Sequence, residues 1–378
     1  MKAKILEPTS KNIQRVALAL REGRVVGMPT ETVYGLAGAA FQPDALARIF
    51  ETKERPTFDP LIVHVGPHCN SEEALEKQGL IHTSALSVEA KLVIQKLIEN
   101  FWPGPLTLVL PRSNRVPDLA TAGLSTVAIR MPMHPVAQAL IEAAGTPLAA
   151  PSANRFGRIS PTTAQAVADE LGDRIKLILD GGPCAVGVES TVIHVALDGT
   201  LTQLRPGGLA RQTIQDQLGI SVHTTESTSS APGLTEQAQT SPGMLESHYS
   251  PGKTLVLLPE AVTELEPRHW REMKKNGGEA STFGFLLRRP LTAEEPTLEE
   301  LLHRSGAFTA GNEPKLLIEA LTQNGDVHEA ARNLFLKLRV LDASSADLLF
   351  AEPWEKDEGL GHALIDRLTR AAKIKLSI

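Results

Sequence analysis

Apolar residues recur at helical spacing over residues 10–22. Ile13, Val16, Ala17 and Leu20 line one face, Ser10 stands where an N-cap belongs, and Gly23 follows as a C′ glycine. A short apolar run at 24–28 predicts a strand. Pro43 then opens a second helix, with Ala45, Leu46, Ile49 and Phe50 facing inward, and Pro56 ends it. Further strands are predicted at 61–65, 106–110, 126–131, 148–150, 175–179, 190–195 and 201–204. Helices are predicted at 86–101, 135–144, 160–171 (Ser160-Pro161 reading as cap and first turn) and 211–218, with 68–84 polar and irregular. Strands adjacent in sequence alternate irregularly with helices, which argues for an α/β fold with a mixed sheet rather than a strict βαβ array.

Residues 223–252 break this pattern. They are rich in Ser, Thr, Pro and Gly and read as a linker. Its second half also carries Met244, His248 and Tyr249, which a solvated linker does not need. Either these residues pin the segment to a domain surface, or the segment is a flap that lays Tyr249 over a site. Beyond it, 253–378 reads as a second α/β unit. Strands are expected at 254–258, 283–287 and 338–341, and helices near 261–275, 297–303, 315–322, 327–335 and 359–374. No internal repeat is visible.

The stretch with most chemistry is PTETVYGL, Pro29 to Leu36. Proline cannot donate to a sheet ladder, so the strand before it stops there or lies at an edge. Thr30, Thr32 and Tyr34 cluster hydroxyls beside one carboxylate, Glu31, and Gly35 permits a tight turn or a close approach. The stretch reads as the rim of a site.

Other motifs end strands or helices in the same way. Lys53 and Arg55 put two cations at a helix end; they can cap the helix dipole or bind a polyanion such as a triphosphate. Ser152 and Asn154 follow a strand and suit a turn, or both face one ligand. Arg130, in the apolar strand TVAIRMP, needs an anion: a structural carboxylate or a carboxylate substrate. His64, in LIVHV, poses a milder version of the problem. Glu189-Ser190-Thr191 and Arg205-Pro206-Gly207-Gly208 repeat the theme. There is no GxxxxGK[ST] loop, no GxGxxG and no G-x-S-x-G, so phosphates are not bound in a P-loop or dinucleotide-fold manner.

Composition narrows the choices. At 378 residues two domains are the natural expectation. Residues 1–222 hold 21 Lys+Arg and 21 Asp+Glu; the totals are 38 and 44, so the remainder has 17 against 23 and carries the whole net charge of −6. Neither part announces nucleic-acid binding by charge. The two cysteines, Cys69 and Cys184, lack zinc-site spacing and read as reduced thiols. No signal peptide or membrane span is visible, so a cytoplasmic, soluble protein is expected.

Taken in order, PTETVYGL, KxRP, LIVHV, FWPGPLTLVL, AIRMP, PSAN, ESTV and RPGG resemble the YrdC family of threonylcarbamoyl-AMP synthases over residues 1–220. SPGMLESHYSP and GLGHALIDRLTRAA resemble the linker and C-terminal domain of that family's long form. The resemblance implies a catalytic domain at 1–222 with a twisted mixed sheet around a large basic cavity. A linker or flap at 223–252 and a smaller Rossmann-like α/β domain at 253–378 follow. It implies a nucleotidyltransferase that makes threonylcarbamoyl-AMP and pyrophosphate from L-threonine, bicarbonate and ATP with Mg²⁺. The product feeds the transferase machinery for N6-threonylcarbamoyladenosine in tRNAs reading ANN codons; weak RNA binding is a further possibility. By matched positions, Thr32, His64, Arg130, Ala150 and Ser190 hold threonine. Lys53, Arg55, Thr126, Ser152, Asn154, Ser160 and Arg205 surround ATP, and Tyr249 closes over it. Lys53 and Arg55 are also the expected catalytic pair, taking up the charge of leaving pyrophosphate. Asp59, grouped with ATP, stands where the family usually has Asn. It is open whether it binds Mg²⁺, points away or weakens ATP binding. Glu54 stands where the family often has Gly.

Two other classes compete. An RNA-binding protein with a basic cavity would bind tRNA tightly and salt-sensitively without ATP, but the neutral first domain and the scarcity of aromatics count against it. A carbamoyl-transfer module like that of hydrogenase-maturation proteins would carry zinc fingers, for which two cysteines are too few.

Overall fold

A computed structural model describes residues 2–225, 248–308, 311, 313–355 and 359–376. The chain forms two compact units: Met1–Phe156 with Ser160–Met244, and Gly157–Ile159 with Leu245–Ile378.

The first unit begins β1 (Lys4–Leu6), α1 (Ser10–Arg21), β2 (Val26–Met28), β3 (Gly35–Ala39), α2 (Pro43–Lys53) and β4 (Ile62–His64). It continues α3 (Glu72–Lys77), α4 (Val88–Phe101), β5 (Leu106–Pro111), α5 (Asp118–Thr121), β6 (Thr126–Arg130), α6 (Pro135–Ala144) and β7 (Leu148–Ala149). It closes α7 (Ala164–Leu171), β8 (Leu177–Leu179), β9 (Thr191–Val195), β10 (Leu201–Arg205), α8 (Arg211–Leu218) and β11 (Val222–Thr224). The strands make one sheet in the order β1-β8-β2-β3-β7-β4-β6-β5-β9-β10-β11. It is mixed: β2/β3, β3/β7 and β4/β7 are antiparallel, while β4/β6 and β5/β9 are parallel.

Helices cover both faces. Val16 and Leu20 of α1 pack with Leu140 and Ile141 of α6 on one side, against Val26, Met28, Leu177 and Leu179. Ile49 of α2, Leu97 of α4 and Val167 of α7 pack on the other, with Ile178. The alternation of Leu177, Ile178 and Leu179 between faces is the period-two pleat of a central strand.

Several sequence expectations shift. Thr9, not Ser10, caps α1, its side chain accepting the Asn12 N–H. Residues 68–84 include a helix, α3, whose cap is Ser71. The helix expected from 160 starts at Ala164 with Thr163 as cap, which leaves Ser160 for another use. β3 was hidden within the motif: Gly35 starts a strand rather than turning, and a Cβ there would stand 3.0 Å from that of Ala150.

The second unit holds β12 (Leu255–Leu257), α9 (Pro267–Gly277), β13 (Thr282–Leu287), α10 (Leu298–Arg304), β14 (Lys315–Ala320), α11 (Val327–Ala343), β15 (Leu348–Ala351), α12 (Leu360–Ala371) and β16 (Ile374–Lys375). Its sheet runs β14-β13-β15-β12-β16, all pairs parallel. Trp270, Met273, Phe283, Phe285 and Phe350 form its core. Residues 315–322, expected as helix, are strand β14 over Lys315–Ala320, and 338–341, expected as strand, lie inside α11. Both segments are short apolar runs, where periodicity alone does not separate the two states. Among the described residues no helix is long and apolar enough to cross a membrane.

Candidate active site

The PTETVYGL motif is the hairpin joining β2 to β3. The strand stops at Met28 as proline requires, but β2 is interior to the sheet, between β8 and β3. Thr30 folds the turn: its hydroxyl donates to the Val33 carbonyl (2.6 Å), accepts the Thr32 N–H (3.2 Å) and lies 2.9 Å from the Thr32 hydroxyl. This side-chain-to-backbone pattern is why hydroxyl residues suit the position. Tyr34 is buried, donating to the Gly182 carbonyl (2.8 Å) and accepting the Gly181 N–H (3.1 Å), so it fastens the hairpin to the turn after β8.

Parallel pairing of β4 with β6 sets His64 opposite Arg130, and β7 pairs with β4 on its other side. Ala150 follows β7, its N–H on the Ile62 carbonyl (2.9 Å). Arg130 reaches the hairpin: Nη1 donates to the Thr32 hydroxyl (2.8 Å) and Nη2 meets Glu31 Oε1 at 2.6 Å, while Nε donates to the Gly104 carbonyl (3.1 Å). Both partners of the ion pair are almost wholly buried. Glu31 Oε1 also accepts the Met133 N–H (3.1 Å). Burial pushes the Glu31 carboxyl up, but the Arg130 charge and these hydrogen bonds outweigh it and hold it below the ordinary value. Glu31 Oε2 and His64 Nδ1 are buried and make no hydrogen bond in the structure. His64, 3% exposed, is pushed down to about 3 by burial and then by the Arg130 charge, so its ring is neutral.

A second group gathers at Ser190, ahead of β9. Its hydroxyl lies 2.7 Å from that of Thr107, and Arg205 at the end of β10 donates from Nη2 to the Ser190 carbonyl (3.0 Å) and hydroxyl (3.2 Å). The hydroxyl of Ser160 donates to Glu189 Oε1 (2.6 Å). Gly207 is required here, since a Cβ would fall 2.3 Å from the Ser190 carbonyl carbon.

Lys53, the last residue of α2, is buried and donates from Nζ to the carbonyls of Ser152 (2.6 Å) and Asn154. Burial, then the Arg55 charge, holds its ammonium well below the ordinary value. Arg55 donates to the carbonyls of Asp59 (3.2 Å) and Pro60 (2.8 Å), and its Nη2 pairs with the Asp59 carboxylate at 2.8 Å, both side chains buried. Asp59 therefore points at Arg55. Neither cation serves mainly as a helix cap; each ties α2 to a distant or following loop.

Residues 18–207 match a family profile described as telomere recombination, and residues 209–373 match the threonylcarbamoyl-AMP synthase C-terminal domain. The threonylcarbamoyl-AMP synthase of Pyrococcus abyssi is 37% identical over 362 residues, covering 94% of this chain and 93% of its own. The chain belongs to the threonylcarbamoyl-AMP synthase family. The Bacillus subtilis synthase is 36% identical over 373 residues, with 97% and 94% covered. A crystal structure of P. abyssi Sua5 complexed with L-threonine superposes with a TM-score of 0.78 at 35% identity, covering 99% of this chain and all of that one.

Within this synthase fold, of the residues expected around threonine, Thr32 meets Arg130 opposite His64, Ala150 is bonded to the Ile62 carbonyl beside them, and Ser190 meets Arg205, which was expected around ATP. The PSAN turn meets Lys53 and Ser160 meets Glu189. Thr126 lies four residues before Arg130 at the opposite end of β6, about 13 Å away along a strand. Tyr249 packs within the second unit, 1% exposed, its ring 5.5 Å from Phe335 and 5.0 Å from the Arg367 guanidinium. Met244 lies outside the described residues. Glu31 and Glu189 have no role assigned from the sequence; a carboxylate inside an otherwise neutral motif is the signal each offers. Cys69 and Cys184 are free and buried, and burial, then the Glu31 charge, raises the Cys184 thiol, which makes it inert.

Proposed function

We infer that the protein joins L-threonine, bicarbonate and ATP into threonylcarbamoyl-AMP, releasing pyrophosphate and water. The observation that carries this reading is the buried Thr32–Arg130–Glu31 contact beside His64, in a chain alike over 99% of its length to a structure complexed with L-threonine. Threonine's amine attacks bicarbonate-derived carbon to form the carbamate; a carbamate oxygen attacks the α-phosphorus and pyrophosphate departs. No enzyme nucleophile is needed, so catalysis is positioning and charge neutralisation.

Arg130 already balances Glu31, so a substrate carboxylate there would share the guanidinium rather than meet an unspent charge. Three buried atoms here make no hydrogen bond: Glu31 Oε2, an acceptor; Arg130 Nη2, a donor that meets Glu31 only as an ion pair; and His64 Nδ1, whose role follows the ring tautomer. Glu31 Oε2 suits the donors of threonine, its amine and hydroxyl, and Arg130 Nη2 its carboxylate. A buried acceptor left unpaired costs about 1–3 kcal/mol, so an analogue without the hydroxyl would be strongly disfavoured. Lys53, Arg55, Ser152, Asn154, Ser160 and Arg205 would surround the nucleotide. Magnesium would enter on the triphosphate as part of the substrate: no group of three or more metal-ligating side chains exists among the described residues, and Asp59 is engaged with Arg55. The adenylate would then pass to a transferase acting on tRNA.

The test is incubation with ATP, Mg²⁺, threonine and bicarbonate, followed by mass spectrometry. Pyrophosphate release requiring both threonine and bicarbonate, with the adenylate as product, is expected. Threonine-independent turnover, or none, would overturn the reading.

A further inference from the structure

The second unit contains a crevice of about 600 Å³, none of whose lining residues is among those assigned above to the synthase reaction. It lies beyond the carboxyl ends of the parallel strands, lined by the segments that follow β12, β13 and β15 and by the loop that enters α11. In an open parallel sheet this is where ligands bind, because the loops there diverge while the sheet holds their bases rigid.

Its floor is built. Glu352, directly after β15, is 5% exposed, and its two oxygens accept the backbone N–H groups of Val262 (2.8 Å) and Arg288 (2.6 Å). One carboxylate thus ties together the ends of three strands and stands at the base of the crevice. Trp354, 8% exposed, and Leu291 add apolar surface.

The charges of the lining sort themselves. Arg289 is closed by Glu295 through two bonds of 2.8 Å. Asp326 caps α11 through the Glu329 N–H and sits against the positive end of that helix. Arg288 is left to serve three carboxylates, Glu355 at 3.2 Å, Glu352 at 3.9 Å and Glu264 at 4.0 Å. Three carboxylates around one guanidinium leave the lining net negative, with Glu352 contributing least because burial raises its carboxyl above the ordinary value. That repels phosphates and nucleotides. A metal ion fits poorly, since no group of three or more His, Cys, Asp or Glu side chains among the described residues is arranged to hold one. The remaining chemistry is an organic cation with two or more separated charges and an apolar body. Its ammonium groups would meet Glu264, Glu352 and Glu355, and its methylenes Leu291 and Trp354.

We propose that this crevice is a binding site for an aliphatic polyamine. The probe is spermidine, titrated calorimetrically into the full-length protein at about 0.15 M salt, where diffuse attraction to a surface of net charge −6 is largely screened. Saturable one-to-one binding is expected. Glu355→Lys and Glu264→Lys, both at exposed positions, should each weaken it at least tenfold with melting unchanged. Trp354→Leu, which retains an apolar side chain, should weaken it less than either charge reversal. Binding that survives both charge reversals, binding displaced by equimolar Mg²⁺, or no saturable binding would overturn the proposal.

Discussion

Replacing Glu31 by alanine isolates the interaction on which the hairpin and the central strands depend. The pair with Arg130 has an N–O distance of 2.6 Å, with side chains 4% and 3% exposed. At an effective dielectric of about 20 that distance corresponds to roughly 6 kcal/mol of attraction, offset by several kcal/mol for desolvating each ion. The net worth of the intact pair is therefore small. Removing one member is not: a buried guanidinium loses its counter-charge, which costs about 3–5 kcal/mol. That is a large share of the roughly 5–15 kcal/mol that holds a domain folded. Urea unfolding should show the midpoint of Glu31→Ala falling with the slope unchanged. Glu31→Leu combined with Arg130→Met should recover most of the loss. The pH dependence has a definite sign. The folded Glu31 carboxyl titrates below its unfolded value of 4.5, so its contribution is complete above that pH and is lost as pH falls through the folded value. The gap between the native protein and Glu31→Ala should narrow in the same range. A cost below about 1 kcal/mol, typical of exposed pairs, would refute the reasoning.

His64 should show no NMR titration between pH 5 and 8, because burial and Arg130 place its transition near 3; the stability it confers as a neutral ring is complete above the unfolded value of 6.5 and declines from there toward 3, and a midpoint near 6.5 would contradict this. Lys53→Met removes the donor to the Ser152 and Asn154 carbonyls and should lower kcat about 10²–10³-fold; retention of kcat would make Lys53 a purely structural tie. Tyr249→Ala empties a position stacked on Phe335 and should cost about 3–5 kcal/mol in unfolding experiments. If melting were unchanged and only the KM for ATP rose, the packing seen for Tyr249 would not be what holds it.

Much of the site was legible because its residues mark where regular elements stop. Proline after β2, a cation pair at the end of α2 and Ser-Ala-Asn after β7 break local patterns, and each break falls where an element ends beside the candidate site. The legibility failed where a local rule had two solutions. Ser160 looked like a helix cap but its hydroxyl donates a hydrogen bond to Glu189, twenty-nine residues on; Thr163 does the capping instead. Lys315–Ala320 has an apolar run that suits a helix, yet it pairs with β13 as the last strand of its sheet. Asp59, open to three readings from sequence, is held by Arg55 four residues away.

The chain by itself determined what depends on neighbours in sequence. Caps, glycine stops and the 3.6-residue period set helices such as α2, α6 and α8 to within a residue or two. The need of Arg130 for an anion was equally plain from its apolar strand. Which anion answers it was decided by tertiary structure alone. Glu31 and Arg130 are 99 residues apart, and they meet because β3, β7, β4 and β6 lie side by side in the sheet. A buried charge states its requirement locally, but the partner that meets it is chosen by strand order, which no local pattern encodes.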